Sequence, residues 1–329
     1  MAAGPSPGFC ADYRSFVHAH PDATLWHDPD FLEALAPVGA RGGYCGVVLR
    51  DGGGAVTAAV PVYRKRRVDG VVATVPPLAR YADPLTALPH GRGGEAQAVD
   101  VLRAAWRDCV SADHVLSPRA AHLAGALRVS CPGLGVRERD TYVVSLDDGL
   151  EAAHRRMSRS KRKRLRKAGA YWRTATIGLG AECRDVLAAP FRRQGLAVPY
   201  DEAVLSALAV ALAPRGGFRI DAALHPDGTL GAAALVIADE GTAYALLSGS
   251  TDAARAHDGG SYALWRNVTA AAELGCRRLD FLGSDLPGPA QNRRDLGGVR
   301  ETYVRVWLDR RWWTRAWRGR VLRTAVRRT

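Results

Sequence analysis

Hydrophobic and polar positions along the chain follow one order twice. In the first round, residues 44–49 form an apolar run, Asp51-Gly52-Gly53-Gly54 turns, and residues 55–63 return, which predicts a hairpin. Residues 71–75 predict a third strand, stopped by Pro76-Pro77. Residues 96–110 place Val99, Leu102, Trp106 and Cys109 on one helical face. Residues 113–116 and 136–146 predict two more strands, and a short helix over 31–35 precedes the round, entered at Pro29-Asp30.

The second round opens with helices over 187–195, with Pro190 near the start, and 201–212. Residues 218–224, the turn Pro226-Asp227-Gly228, and residues 230–238 predict a second hairpin. A strand over 242–248 follows, then Gly259-Gly260 leading into a helix over 261–274 with Leu264, Val268 and Ala271 facing in. Strands over 277–282 and 303–308 flank a short helix or turn at 293–298, and residues 312–326 predict a final helix. Each round reads hairpin, strand, helix, strand. The expected fold class is α/β with mixed (α+β) sheets: two similar domains at 1–147 and 174–329, joined by a connecting helix at 148–173. One larger sheet is the alternative.

Charge changes this picture in one place. The net charge of +13 comes from an Arg-biased chain, 42 Arg to 4 Lys, so Arg alone carries little information. Yet Lys161, Lys163 and Lys167 all fall within residues 154–173, which hold ten Lys/Arg and no acid. Residues 152–173 carry +10 and residues 305–329 carry +8, so the rest of the chain is net −5. Localised positive charge is the footprint of a polyanion partner. Arg155, Arg156, Arg159, Lys161, Arg162, Lys163, Arg164, Arg166 and Lys167 are the expected phosphate contacts. Leu150, Ala153, Met157 and Leu165 form a thin docking stripe, and Tyr171 and Trp172 are candidates for stacking on bases. The bland alternative is a solvated helix, disfavoured by ten like charges without a compensating acid. In the last helix, Trp313, Trp317 and Val321 share a face. Docking on the protein body is its first expectation, and weak contact with an anionic surface or tRNA the next.

Other classes are excluded more simply. The start of the chain lacks a basic-then-apolar leader, and no apolar run approaches the ~20 residues of a membrane helix. Cys10, Cys45, Cys109, Cys131, Cys183 and Cys276 show neither CxxC nor metal spacing, and read as buried reduced thiols. A cytoplasmic protein with no integral membrane association and no metal is expected.

Several motifs in the second round carry a family resemblance. They are the Gly-led helix at 259–274, Asp280-Phe281-Leu282-Gly283, Pro287-Gly288, Asn292-Arg293-Arg294-Asp295-Leu296-Gly297 and a strand bearing Tyr303. In this order they resemble the Fem-type tandem-GNAT acyltransferases, well over residues 150–308 and loosely before. The resemblance implies two GNAT-like domains in tandem and an amide-forming transfer. Its aminoacyl donor is a charged tRNA, used as co-substrate with no further cofactor, and its acceptor a small amine or peptidic precursor in natural-product (antibiotic) or cell-wall biosynthesis. Arg293 stands where the family has a charge-stabilising Lys, and Asn292 where it has an aromatic. A guanidinium can stabilise charge but not act as a base near neutrality. The other reading of Arg293 and Arg294 is pairing with Asp280 or Asp285 to fix the loop.

An acyl-CoA-dependent relative would carry a Gly-rich pyrophosphate turn before its central helix. Here the stretch is Arg255-Ala256-His257-Asp258-Gly259-Gly260, with Asp258 in place of the first Gly. A carboxylate there disfavours CoA. Acyl-CoA-dependent N-acyl transfer is the runner-up, and a non-catalytic nucleic-acid-binding protein on a degenerate scaffold the third reading. Asp83, in the loop after Pro76-Pro77, and Asp280 are the candidate bases, and Asp280 reads equally as a cap of the next loop. Tyr244, Ser248 and Ser250 are the candidate substrate residues beside the central helix. Arg192 and Tyr200 are candidates for an anionic acceptor, with Tyr81 and Tyr303 beside them. His257 and the other histidines read as surface or loop residues.

Overall fold

The computed structural model describes residues 8–36, 42–76, 78–89, 91–239, 241–283 and 286–311. The helix expected over 312–326, with Trp313, Trp317 and Val321, lies outside the described residues, as does Asp285. The chain divides into two compact units, Met1–Arg139 with Thr302–Thr329, and Asp140–Glu301.

The first unit opens with α1 (Ala11–Ala19) and α2 (Pro29–Leu35), followed by the hairpin β1 (Gly42–Arg50) and β2 (Val56–Arg67). Asp51 Oδ1 accepts from the amides of Gly53 and Ala55 at 2.9 and 3.0 Å, which closes the hairpin turn. Then come β3 (Gly70–Thr74), the short β4 (Leu85–Thr86), α3 (Gly94–Trp106), β5 (Cys109–Leu116), α4 (Leu123–Ser130) and β6 (Gly135–Ser145). Val99, Leu102 and Trp106 of α3 are buried as their spacing predicts. Cys109 is not on that face: it pairs with Val71 in the parallel β3–β5 ladder. Sheet pairing claims the last residues of the expected helix. Helix α4 was not anticipated.

The second unit continues with α5 (Gly149–Arg156), α6 (Arg159–Tyr171), β7 (Arg173–Thr176), α7 (Ala181–Arg193) and α8 (Glu202–Leu212). Next come β8 (Phe218–Leu224), β9 (Leu230–Ala238), β10 (Thr242–Ser250), α9 (Asp252–Arg255) and α10 (Gly259–Glu273), then β11 (Arg278–Asp280), α11 (Pro287–Asp295) and β12 (Val299–Asp309). The connecting helix is therefore two helices. Met157 is extended, and Ser158 starts α6 by accepting from the Lys161 amide at 3.2 Å. Pro190 lies in the last turn of α7 and not near its start. It has no N–H for the Val186 carbonyl. Gly249 of β10 packs there, where a Cβ would fall 1.9 Å from Val186 O.

The two rounds of the sequence are two copies of one unit. Hairpins β1–β2 and β8–β9 correspond, as do β3 and β10, α3 and α10, and the parallel pairs β3–β5 and β10–β11. The copies differ from the expected partition at their ends. The last strand of the first round, β6, pairs antiparallel with β11 through Val143, Val144 and Ser145. The last strand of the second, β12, pairs with β5 from Val304 to Asp309. Each unit is thus completed by the other round's final strand, and α5 and α6 belong to the second unit. Neither exchange leaves a sign in a linear pattern, so boundaries at 147/148 and 173/174 do not match this division.

Candidate functional site

In the second unit, β10 and β11 pair only from Thr242/Arg278 to Tyr244/Asp280, while β10 runs on to Ser250. The two parallel strands part there, and α10 begins beside the opening. Asp258 precedes α10 in the left-handed region at φ 55°. The first turn of the helix closes with Tyr262 N–H to Asp258 O at 2.9 Å. The amides of Gly259, Gly260 and Ser261 have no acceptor among the described residues, and they carry the positive end of a 15-residue helix. Gly259 is sterically required, because a Cβ would lie 2.9 Å from both Ala254 and Trp172.

Asp258, expected to repel an anion at this turn, does not stand there as a free charge. Its carboxylate is bound bidentately by Arg164, with Nε 2.9 Å from Oδ2 and Nη2 on Oδ1. The negative charge at this turn is paired, so it no longer tells against an anion at the α10 amides.

Lys161 is corrected in the opposite sense. It is 4% exposed, and its ammonium donates to Asn292 Oδ1 at 2.6 Å and Ser261 Oγ at 3.1 Å. Ser261 Oγ donates to the same Asn292 oxygen at 3.1 Å. Burial, then the neighbouring Arg164, pulls the Lys161 pKa below its usual value. This lysine is an interior tie between α6, α10 and α11, and not an outward phosphate contact. Lys161, Leu165, Ala168 and Trp172 are all buried, at i, i+4, i+7 and i+11. Extending the docking stripe from Leu165 by one turn finds it.

The other basic residues separate into two groups. Arg155 pairs with Glu151 at 3.1 Å, and Arg156 with Asp148 at 3.4 Å and the Ser145 carbonyl at 2.5 Å. Arg162 donates to the carbonyls of Arg155 and Met157 at 2.5 and 2.9 Å. Acids beyond the basic run and main-chain carbonyls compensate it, which its own composition hides. Arg159, Lys163, Arg166 and Lys167 are exposed and have no ion pair or hydrogen-bonded side chain among the described residues. Their spacing puts them on one face of α6, opposite the buried stripe.

Tyr171 and Trp172 are not open to bases. Trp172 is buried and donates Nε1–H to the His257 carbonyl at 2.8 Å. The Tyr171 ring lies on the His257 ring at 3.9 Å and 5°, and its hydroxyl is 3.0 Å from His225 Nδ1. His257 and His225 are members of this aromatic group, beyond the surface role expected of them.

Asp280 holds the exit from β11. Its Oδ1 accepts from Thr141 Oγ1 at 2.5 Å and the Leu282 amide at 2.7 Å, while Gly283 N–H reaches Thr141 Oγ1 at 3.0 Å. Leu282 takes φ 54°, a non-glycine residue in the left-handed region held by these bonds. The geometry gives Asp280 the cap role. The Arg293 guanidinium lies 5.7 Å from the Phe281 ring centre, and that of Arg294 bonds Tyr142 Oη and Gln291 Oε1, both at 3.0 Å. Tyr244 and Ser250 are buried, Ser248 is half-buried on the parted half of β10, and the Ser250 carbonyl accepts from Arg193 at 2.7 Å. Arg192 pairs with Asp185 at 3.3 Å and lines an open cavity of about 400 Å³ with Glu182, Arg193 and Asp252. Tyr200 packs edge-on against Phe191, and burial pushes its hydroxyl up to about 12.

In the first unit, Asp83 Oδ1 accepts from the Ser117 amide at 2.8 Å, and burial raises its carboxyl above the usual range. That shift suits a carboxylate asked to take a proton. The loop is pinned by two buried histidines, His27 and His114, which were expected at the surface or in loops. His27 Nε2 is 3.0 Å from the Asp83 carbonyl, and His114 Nε2 contacts the Ala82 carbonyl. Facing a carbonyl, each Nε2 must carry the proton. Nδ1 of His27 then accepts from the Thr24 amide at 3.0 Å. Burial pulls both imidazoles down to about 4, so they are neutral near pH 7. Tyr81 is edge-on to Tyr303 at 5.9 Å, and both are buried.

All six thiols are free; Cys10 is exposed, contrary to expectation, and the other five are buried. Among the described residues, no helix is long and apolar enough to cross a membrane, and no group of three or more His, Cys, Asp or Glu could hold a metal.

Residues 152–288 match the Acetyltransferase (GNAT) domain family. No curated protein matches the sequence. Among solved structures, FemX superposes with a TM-score of 0.66 at 12% identity, over 89% of this chain and 94% of that one. L-PGS from Bacillus licheniformis gives 0.55 at 13%, over 94% and 95%. A tandem GNAT protein from the clavulanic acid biosynthesis pathway gives 0.51 at 16%, over 90% and 91%. The parted parallel strands, the helix that starts beside them and the duplication of both are thus shared in fold with FemX and with the tandem GNAT protein.

Proposed function

We propose that this protein is an acyltransferase that takes an aminoacyl group from charged tRNA and joins it to an amine on a small or peptidic acceptor. The observation that carries the donor assignment is the two-faced helix α6. Its paired cations are tied to the protein body, and Arg159, Lys163, Arg166 and Lys167 are left together on the exposed face. Such a face suits a phosphate backbone, whose contacts release counterions. In the transfer, the acceptor nitrogen attacks the ester carbonyl. A C–N bond forms, the C–O bond to the ribose breaks, and the amine proton passes through a carboxylate or water to the ribose oxygen, which leaves as a hydroxyl. Arg293 serves as a fixed charge for the developing oxyanion.

The test is transfer from charged tRNA with and without ribonuclease, together with tRNA binding over a salt series. RNase-sensitive activity and a log–log salt slope of about −3 for four contacts are expected. Lys163→Glu with Lys167→Glu should weaken tRNA binding. Activity insensitive to ribonuclease and to these substitutions would sink the reading. A second reading, acyl-CoA as donor, is favoured by the Arg164–Asp258 pair and the open amides of Gly259, Gly260 and Ser261. It predicts RNase-insensitive transfer from acyl-CoA.

A further inference from the structure

We propose that the first unit holds a binding site of its own, a cavity at the C-terminal end of α3 that takes a small molecule with an apolar body and a single carboxylate. The site rests on the geometry of this unit and not on the transferase reading.

The cavity is open and measures about 710 Å³, within the range that small-molecule pockets occupy. It forms where the C-terminal half of α3, the end of α4, β1 and the end of β12 come together. Its apolar wall is Leu49, Ala104, Trp106 and Leu308. Trp106 is 1% exposed, and its indole N–H has no hydrogen-bond partner among the described residues. A buried donor left without an acceptor is costly, and an indole N–H can only donate. A ligand oxygen at this wall satisfies it.

Three arginines line the same cavity, Arg103, Arg107 and Arg310. Arg103 pairs with Asp100 at 3.5 Å, with both side chains more than half exposed, so the pair is weak and exchangeable. Arg107 is exposed, and its side chain has no ion pair or hydrogen bond among the described residues. The carbonyl end of a helix would by itself repel an anion. Here it is capped: Arg310 Nη1 donates to the Arg107 carbonyl at 2.5 Å, and Arg64 Nη2 to the Ala105 carbonyl at 2.7 Å. Asp100 and Asp309 also line the cavity, and Asp309 accepts from Ser111 Oγ at 2.6 Å. These acids tell against a multiply charged anion, and the apolar wall tells against a wholly polar ligand. The combination suits an amphipathic monoanion, whose two carboxylate oxygens match the guanidinium fork of Arg107.

The site is apart from the Asp83 loop. Asp309 stands opposite Ser111 near the start of β5, and Asp83 bonds Ser117 just past its end. Six residues of strand, about 20 Å, separate the two.

The experiment is titration of the full chain with naphthylacetate and, separately, with its neutral amide, naphthylacetamide, followed by calorimetry and by the rise in Tm. The carboxylate should bind at least about tenfold more tightly than the amide. Arg107→Gln should remove that preference and leave the affinity for the amide unchanged. Trp106→Phe keeps the apolar wall and deletes the N–H, and should weaken both probes about fivefold or more. Lys163→Gln, on α6 of the second unit, should change neither. Arg107 is exposed, so its variant reports on the site even if Trp106→Phe fails to fold. No binding of naphthylacetate, equal affinity for the two probes, or a preference that survives Arg107→Gln overturns the proposal.

Discussion

The ammonium of Lys161 sits 2.6 Å from Asn292 Oδ1, joining the first turn of α6 to α11 beside the open amides of α10. The pairing is charged to neutral, and the carboxylates that act on this lysine, Asp258 and Asp295, do so from farther away. Removing one partner of a buried charge-assisted bond costs more than removing an exposed cation. Lys161→Ala and Asn292→Ala are each expected to lower stability by about 2 kcal/mol, and Lys163→Ala to stay within about 0.5 kcal/mol. Urea unfolding of the three variants checks this. Equal, small effects would show that Lys161 does not tie α6 to α11.

Acid should unfold the first unit through its buried histidines. His27 and His114 are held near 4, below the ordinary 6.5, so between those values the unfolded chain binds more protons than the folded one. Stability therefore rises with pH from about 4 to 6.5 and is lost as pH falls through that window. At full effect each histidine accounts for about 3 kcal/mol. Asp83, whose carboxyl is raised, acts with the opposite sign above its unfolded value. His114→Gln should flatten the pH dependence of the urea midpoint between pH 4 and 6.5. A slope unchanged in that variant would contradict the neutral, buried assignment.

Asn267 in the middle of α10 is fully buried, and neither its amide nitrogen nor its oxygen has a hydrogen-bond partner among the described residues. Its turn-mates Ala263 and Ala271 are also buried. An unsatisfied buried amide costs about 1–3 kcal/mol, so Asn267→Leu or Asn267→Ala is expected to raise Tm. Loss of stability in both variants would point to an ordered water that the amide holds.

Two glycines predict opposite outcomes. Gly249→Ala would drive a Cβ to 1.9 Å from the Val186 carbonyl, which Pro190 keeps out of the helical ladder. A loss of about 3 kcal/mol or more follows, because backbone must move on both sides. Gly125, inside α4, meets nothing within 4 Å, so Gly125→Ala should gain about 0.5–1 kcal/mol. Thermal unfolding of both variants decides.

Much of this protein could be read along the chain. The hairpins, the helices α3, α8 and α10 and the parallel strands follow from runs of apolar residues and from turn chemistry at Asp51, where the deciding interactions are local. The duplication was legible for the same reason, since each round repeats the same local signals. What the linear pattern could not hold were interactions between distant segments. The strand exchange of β6 and β12 depends on pairings of Val143–Ser145 with β11 and of Val304–Asp309 with β5. The basic helix looked uniformly charged because composition counts residues and not directions. Folding turned Lys161 inward to Asn292, gave Arg164 to Asp258, and left Arg159, Lys163, Arg166 and Lys167 on the open face. The sequence by itself determined the hairpins, the central helices and the parallel strands, and that they form twice. Only the tertiary structure decided which charges are spent on holding the fold and which remain available to a ligand, because the deciding partners of Lys161 and Arg164, Asn292 and Asp258, lie 131 and 94 residues away.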